Sequence, residues 1–551
     1  MKKIVLISLV FCLLSAFVVY AGGKQEEPAK PAAEEAPAME AEEVVRELRV
    51  TFSWPTYIDP AVGSDFSSSS SFVNLYDTLV YPTPDGGVKP NVAESWETSA
   101  DGLTWTFNLR KDVKFHDGSM LTAHDVKFTM DRLTTIGEGY AYMYGAVEST
   151  DVVDDYTVQF NLSKTYGPFL TTLVRLYILN EELVMANAKS DGMYGDKGDY
   201  GKEWLLTHDA GSGPYKVKDM RLEEYLLMEK FQDYWGYFAP KAPDLVKFIG
   251  TTEAVTVRTM MSRRELEIAD QWQSLEAQKS LQQIDGVDIA TMSYGTMFYF
   301  MMHTRKAPTD DIHFRKALAY ALDYDTVVEK IFPGAIIAEG PVSPGYPGHW
   351  KDYPKSERNL DKAMAELKKS KYYGKLDQYP VEIHWIAEVP DEEKVALLAL
   401  SNFSEIGVKA EVVKVPWLSV VEEMGNQDQS PNIVTVFVAP HYPEAGSMLE
   451  SRFHSTSAPT WQQNEWLLDP KLDAMIEDAI ETIDMKERYA KYAEIQKALA
   501  EIEPSLNLFE QAQKHPYFAS YVDWPATTGD KIPVMGYDFA ANVIQVHTER
   551  K

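Results

Sequence analysis

The sequence predicts an α/β fold of irregular topology, and three observations carry that prediction. Two stretches alternate apolar with polar residues at period two, and two others repeat apolar residues at helical spacing. Between them runs neither a steady strand–helix–strand alternation nor a fixed-period repeat, so helices and strands are mixed without being regularly wound.

Taken in chain order, the first strand is expected in LRVTFSW from Leu48, which alternates until Asp59-Pro60 breaks it. In LTWTFNLR, Leu103, Trp105, Phe107 and Leu109 share one face while Thr104, Thr106, Asn108 and Arg110 share the other. YTVQFNL repeats this with Tyr156, Val158, Phe160 and Leu162. Turns at Asp101-Gly102 and Asp154-Asp155 open the two strands. Helical spacing is found in FRKALAYALDYDTVVEKIF, where Leu318, Ala321, Leu322 and Val328 fall near one stripe. It recurs in LDAMIEDAIETI, through Leu472, Met475, Ile476, Ala479, Ile480 and Ile483.

The stretch HDGSMLTAHDV presents two His-Asp pairs, His116-Asp117 and His124-Asp125, whose side chains could serve a metal or a proton transfer. Its local pattern points to scaffolding instead. His116-Asp117-Gly118 has the composition of a turn. Thr122 and Asp125 have the spacing of a capping box for a helix that carries Val126, Met130 and Leu133 on one stripe.

Bulk composition narrows the function class. With 45% hydrophobic and 12% aromatic residues, the chain can bury a sizeable core, and its length suggests two to four domains. Residues 1–21 have the form of a secretory signal: Lys2 and Lys3, an apolar run and an end at Ala21, too short for a bilayer span. Residues 22–43, rich in Ala, Glu, Pro and Lys, are expected to form a disordered linker. The only cysteine, Cys12, lies within the signal, so disulfides, zinc thiolates and a cysteine nucleophile are not expected. Cys12 follows Phe11 and precedes more apolar sequence, which disfavours lipid anchoring. The net charge of −30 becomes −32 once Lys2 and Lys3 leave with the signal, which opposes nucleic-acid binding and docking on anionic lipid.

Residues 90–133, PNVAESWETSADGLTWTFNLRKDVKFHDGSMLTAHDVKFTMDRL, resemble the signature region of the family 5 extracellular solute-binding proteins, the receptors of peptide-type ABC importers. Further similarity follows in order at GSGPYKV (211–217), at Asp233-Tyr234-Trp235, at residues 310–334 and at residues 487–504. The resemblance implies a two-lobed periplasmic-binding-protein fold, type II and cluster C-like, with a hinge between the lobes. The first lobe would combine residues 44–76, 205–300 and 515–551 with an extra domain at 77–204. Residues 301–514 would form the second. Closure over a buried solute would follow because contacts to both lobes exist only in the closed state.

By the same resemblance, the ligand contacts are expected at Trp54, Tyr57, Trp272, Trp417, His441 and Tyr442. Peptide-binding members use a Trp-x-Ala-Asp-Tyr segment whose aspartate holds an ammonium. Here VFVAPHYPEAGSML (436–449) puts His441 at that aspartate and Val438 at the tryptophan, with Glu444 available if the register slips. Imidazole is a poor partner for an ammonium, so the sequence tips the ligand class from free-amino peptides toward oligosaccharides, which aromatic platforms and polar rims recognise.

Two rival classes are weighed. A metal-dependent hydrolase would rest on the His-Asp pairs, but no nucleophile elbow, HExxH helix or phosphate-cradling loop accompanies them. A chaperone-like envelope protein would expose apolar patches without a closing cleft. The expected protein is therefore a periplasmic, monomeric, cofactor-free receptor that passes a small or oligomeric solute to an ABC permease and does not act as an enzyme.

Overall fold

The computed structural model describes residues 45–52, 56–528 and 534–551. The expected signal segment, most of the linker and Trp54 lie outside these residues. Among the described residues, no helix is long and apolar enough to cross a membrane.

Strand Glu47–Phe52 forms where LRVTFSW predicted it, with Leu48, Val50 and Phe52 buried. Thr51 is buried too, because the strand is interior: it pairs in parallel with Leu245–Gly250 on one side and touches Ile268 on the other. Its four-stranded sheet continues through Tyr225–Lys230 to Tyr215–Arg221. A second sheet is the antiparallel meander Ala93–Thr98, Thr104–Leu109, Thr157–Leu162 and Val147–Asp154, in which both period-two stretches pair directly, Phe107 opposite Val158. One face of this meander is covered by helix Ala123–Ile136.

A third, six-stranded mixed sheet is built from Ile336–Ile337, Ser505–Glu510, Met297–Met302, Ile433–Val438, Val381–Ile386 and Ala410–Val415. All six residues of Met297–Met302 are buried, as expected of an interior strand covered on both faces. One face carries a core of its own, confined to residues 298–509 and including Phe298, Phe314, Leu318, Val395 and Phe403. The other face joins the larger core shared with the first two sheets.

Two adjacent segments connect these bodies. Strand Val287–Met292 pairs antiparallel with Gln513–Phe518, and their chain neighbours Met297–Met302 and Ser505–Glu510 pair with each other in the six-stranded sheet. The chain therefore changes sheet at 293–296 and again at 511–512. The two crossings are tied together, the Gln511 amide donating to the Thr296 carbonyl at 3.0 Å.

The stretch from Phe314 to Phe332 is a single helix by its spacing but not in the structure. Helix Ile312–Ala321 ends at Leu322, and Asp323 caps a new start at Tyr324–Thr326, which continues as one π-turn, Val327–Ile331. The Asp323 carboxylate takes the Thr326 amide and hydroxyl, a local competitor that periodicity cannot register. The later stripe is correct as helix Pro470–Glu481, except that Ile483 falls beyond its end and is exposed.

HDGSMLTAHDV is scaffolding. Gly118 turns at φ 93°, a region that favours glycine. The Asp125 carboxylate accepts the Thr122 amide at 2.9 Å and hydroxyl at 3.0 Å, while its other oxygen takes the Glu181 amide at 3.0 Å. One side chain thus fastens two helix starts. The His116 side chain packs inward: Nδ1 meets Asp209 and Nε2 meets the Gly213 carbonyl at 2.9 Å, joining this region to the strand Tyr215–Arg221. His124 is exposed. Among the described residues, no group of three or more His, Asp or Glu is placed to hold a metal ion. Asp125→Ala is expected to cost about 1 to 2 kcal/mol in denaturant unfolding and to leave solute affinity unchanged.

Candidate functional site

A cavity of about 330 Å³ lies where the sheets face each other beside the crossings. Its wall is assembled from short pieces: Thr56, Asp65 to Ser67, Glu223 and Trp272 from one side, Thr296 and Gln513 at the crossings, and Ile386, Glu388, Val389, Glu392, Pro416 to Leu418, Val436, Phe437, Ala439, His441 and Trp461 from the other. Phe66, Trp272, Trp417, Phe437 and Trp461 give it an aromatic interior. Asp65, Glu223, Glu388 and Glu392 supply four carboxylates, and among the described residues no lysine or arginine lines it.

Local structure explains how the carboxylates are held. Asp65 is the N-cap of helix Phe66–Leu75, accepting the Ser68 amide at 2.8 Å and the Thr56 hydroxyl at 3.0 Å. Its Oδ2 also receives the Trp417 indole N–H at 3.0 Å, a bond that spans the cleft. Trp461 sits edge-on to Trp417 at 5.1 Å and donates its own N–H to the Ser64 hydroxyl at 3.3 Å. Glu388, just past strand Val381–Ile386, takes the Trp417 amide on both oxygens at 3.1 Å and so starts helix Trp417–Met424. Burial raises the Glu388 carboxyl above its usual range.

Glu392 is the most enclosed of the four. It is wholly buried in the first turn of helix Pro390–Glu405, and its Oε2 accepts the Ile386 amide at 3.0 Å and the Thr435 hydroxyl at 2.7 Å. Oε1 has no hydrogen-bond partner among the described residues. Burial, reinforced by Glu388, pushes this carboxyl up to about 8 from its ordinary 4.5, so it is protonated at neutral pH. A raised carboxyl contributes stability that is full below about 4.5 and lost as pH rises through about 8. The Gln513 Oε1 and His441 Nε2 are likewise buried in residues of the wall, without hydrogen-bond partners among the described residues.

His441 is wholly enclosed. Its Nδ1 meets the Tyr142 hydroxyl at 2.6 Å, the Tyr140 ring stands edge-on at 5.1 Å, and its carbonyl takes the Arg175 Nε–H at 3.0 Å. Burial, with the Arg175 charge second, drives the imidazole down to about 3, so it is neutral. His515, buried against the Ala269 carbonyl, is lowered to about 4. A depressed histidine contributes stability that is full above 6.5 and is lost as pH falls through its folded value. The contribution of His441 is therefore lost between pH 6.5 and about 3 and that of His515 between pH 6.5 and about 4, on the order of 3 to 5 kcal/mol each, against the raised carboxyls, which act in the opposite sense. Chemical denaturation across that range should show His515→Gln with a shallower acid limb than wild type.

Of the six residues singled out from the sequence, the structure brings Trp272, Trp417 and His441 into one wall. Trp272 packs on Phe437 at 5.4 Å. Tyr57 is half-buried beside Asp65 and outside the wall. Tyr442 points elsewhere, fully buried near Tyr166 and Glu450. Trp54 is not among the described residues. Glu444 is committed to Arg488, at 2.6 Å, and to the Tyr492 hydroxyl, at 2.7 Å, so it does not stand in for the aspartate replaced by His441. Sequence reasoning missed Asp65, Glu388, Glu392, Trp461 and Gln513. The Asp65 capping signal was available in DFSSSS, since Asp before a helix is a favoured cap.

Residues 87–460 match the family model for bacterial extracellular solute-binding proteins, family 5 Middle. The chain belongs to this family. Among relatives of the solute-binding protein, the dipeptide-binding protein of Escherichia coli is 27% identical over 383 residues, covering 64% of this chain and 68% of that one. The glutathione-binding protein GsiB of Salmonella paratyphi A is 26% identical over 484 residues, covering 86% and 90%. Among solved structures, the periplasmic binding protein DppA from Helicobacter pylori, in complex with the peptide STSA, superposes with a TM-score of 0.80 at 22% identity, over 92% of this chain and 99% of that chain. The solute-binding protein thus has the type II periplasmic-binding-protein fold.

Proposed function

We propose that this chain is the extracytoplasmic receptor of an ABC importer and that its solute is small, partly apolar and cationic, in the manner of a short peptide with a free ammonium. The observation that carries this is the cavity's charge balance: four acidic side chains, with Glu392 held neutral by its own proton, and no lysine or arginine among the described residues of the lining. A buried carboxylate without a counter-charge is costly, and a cationic group supplies what the wall lacks. The aromatic side chains would cover the apolar part of the solute. Relatives that bind dipeptides and glutathione support the peptide-like class.

In this reading the protein acts as a monomer, by capture and closure without covalent chemistry. The lobes are those expected from the sequence, with the changeover at 293–296 and 511–512 supported by the switch of sheet there. Bonds such as Trp417 to Asp65 and Tyr142 to His441 would hold the closed form that the permease receives. A neutral oligosaccharide is the second reading, favoured by the three indoles of the wall.

A thermal-shift panel separates the two: hexylamine, phenethylamine, Leu-Leu and Phe-Leu, each beside its N-acetylated form, with α- and β-linked oligosaccharides alongside. At a hundred times its dissociation constant a bound probe stabilises by about 2.7 kcal/mol. Free amines are expected to shift the transition and their acetylated forms are not. Shifts with sugars alone would overturn the cationic reading.

A further inference from the structure

We propose that Glu392 is the anchor for the solute's cationic group, and that the cation takes the place of the carboxyl's own proton, so that capture releases one proton to solvent. The proposal rests on the cationic reading and adds to it which carboxylate is used and what is exchanged.

The geometry singles out Glu392 from its three neighbours. Asp65 already accepts the Ser68 amide, the Thr56 hydroxyl and the Trp417 indole. Both Glu388 oxygens receive the Trp417 amide. Glu223 is exposed at the edge of the cavity. Glu392 alone of the four is wholly enclosed and has an oxygen, Oε1, with no partner among the described residues, although it lines the cavity. Its other oxygen is fixed by Ile386 and Thr435, so the carboxyl cannot turn away to find water without breaking both bonds. A buried polar atom without a partner costs more than a satisfied one, and an ammonium that donates to Oε1 once the carboxyl's proton has left recovers that loss.

The electrostatic surroundings decide the proton. On its own helix, Asp391 is paired with Lys394, which also reaches Glu276 across the cleft. From the preceding loop Glu388 repels the ionised form. Strand Val381–Ile386 contributes His384, itself bonded to Glu423 at 2.9 Å, and strand Ile433–Val438 contributes the uncharged Thr435. Lys414 on the neighbouring strand acts on Glu388, and across the cavity stand Asp65, Glu223 and neutral His441. Among the described residues no fixed cation lies against Glu392, so a proton neutralises it, consistent with the carboxyl titrating near 8. When R–NH₃⁺ binds, the O–H bond of the carboxyl breaks, its proton passes to solvent and the ammonium N–H donates to the carboxylate. The site's net charge is the same before and after. This explains how a wall of four acids stays stable when empty, and why the position of the lost aspartate can hold a neutral histidine.

The test is calorimetric titration at pH 6.5, in two buffers of different protonation enthalpy, with phenethylamine and Leu-Leu and their N-acetylated forms, on wild type and Glu392→Gln. Wild type is expected to release about one proton per free-amine probe, since a carboxyl titrating near 8 is almost fully protonated at that pH. Glu392→Gln keeps an acceptor for Ile386 and Thr435. It is expected to release none and to bind the free amines at least tenfold more weakly. Free-amine binding without proton release in wild type overturns the proposal, even if the variant does not fold. So does unchanged affinity in Glu392→Gln, while leaving the cationic reading intact. Equal binding of the amines and their acetylated forms by wild type overturns the cationic reading itself.

Discussion

Trp417→Ala is expected to weaken solute binding by about 100-fold while lowering the stability of the empty protein by only about 1 kcal/mol. The indole does two things that alanine cannot. It forms part of the cavity wall, edge-on to Trp461, and its N–H reaches Asp65, 352 residues away in the chain. Losing a central aromatic contact together with a bond made across the cleft corresponds to about 3 kcal/mol of capture. The side chain is half-buried, so its loss leaves no large internal void. Trp417→Phe keeps a ring but not the donor and should fall between. Calorimetric titration with a bound probe measures all three; an affinity within threefold of wild type for the alanine variant would remove Trp417 from the site.

Arg132→Met is expected to destabilise the protein by about 3 to 5 kcal/mol. Arg132 is completely buried in helix Ala123–Ile136, and its guanidinium holds both oxygens of Asp59, at 2.7 and 2.6 Å. A further bond runs to the Tyr200 carbonyl at 2.8 Å. The pair ties the loop after the first strand to helix Ala123–Ile136, and removing the arginine leaves a buried carboxylate without its counter-charge. Adding Asp59→Asn should recover part of the loss, because the remaining cost is that uncompensated charge. Urea unfolding of the single and double variants reads both effects, and a loss under 1 kcal/mol for Arg132→Met would contradict the pairing.

Elements fixed by neighbouring residues were legible in the sequence. The strands around Phe107 and Phe160 and the cap at Thr122 and Asp125 depend on residues within a few positions of each other, so period and spacing report them. The break at Asp323 was not legible, because the stripe of Leu318, Ala321 and Leu322 continues through it in projection. The candidate site was legible only in part. Trp272, Trp417 and His441 were reached through family resemblance, whereas Glu392 was not. It looks like any acid in the first turn of a helix, DEEKVALL, where exposure is the ordinary outcome. Its burial arises because Ile386, Thr435 and the cavity meet around it, a juxtaposition of strands and loops that no single stretch encodes. The same non-locality is why the proposed cationic solute departs from the sequence-based preference for sugars. In the proposed reading, the anion missing at His441 would be supplied by acids some fifty residues upstream, at Glu388 and Glu392.

The central claim is capture by closure of the lobes about 293–296 and 511–512, and small-angle X-ray scattering tests it most directly. The radius of gyration of the mature protein should fall when a saturating probe from the thermal-shift panel is added, and should fall less for Trp417→Ala. Saturated binding with an unchanged radius of gyration would contradict the account.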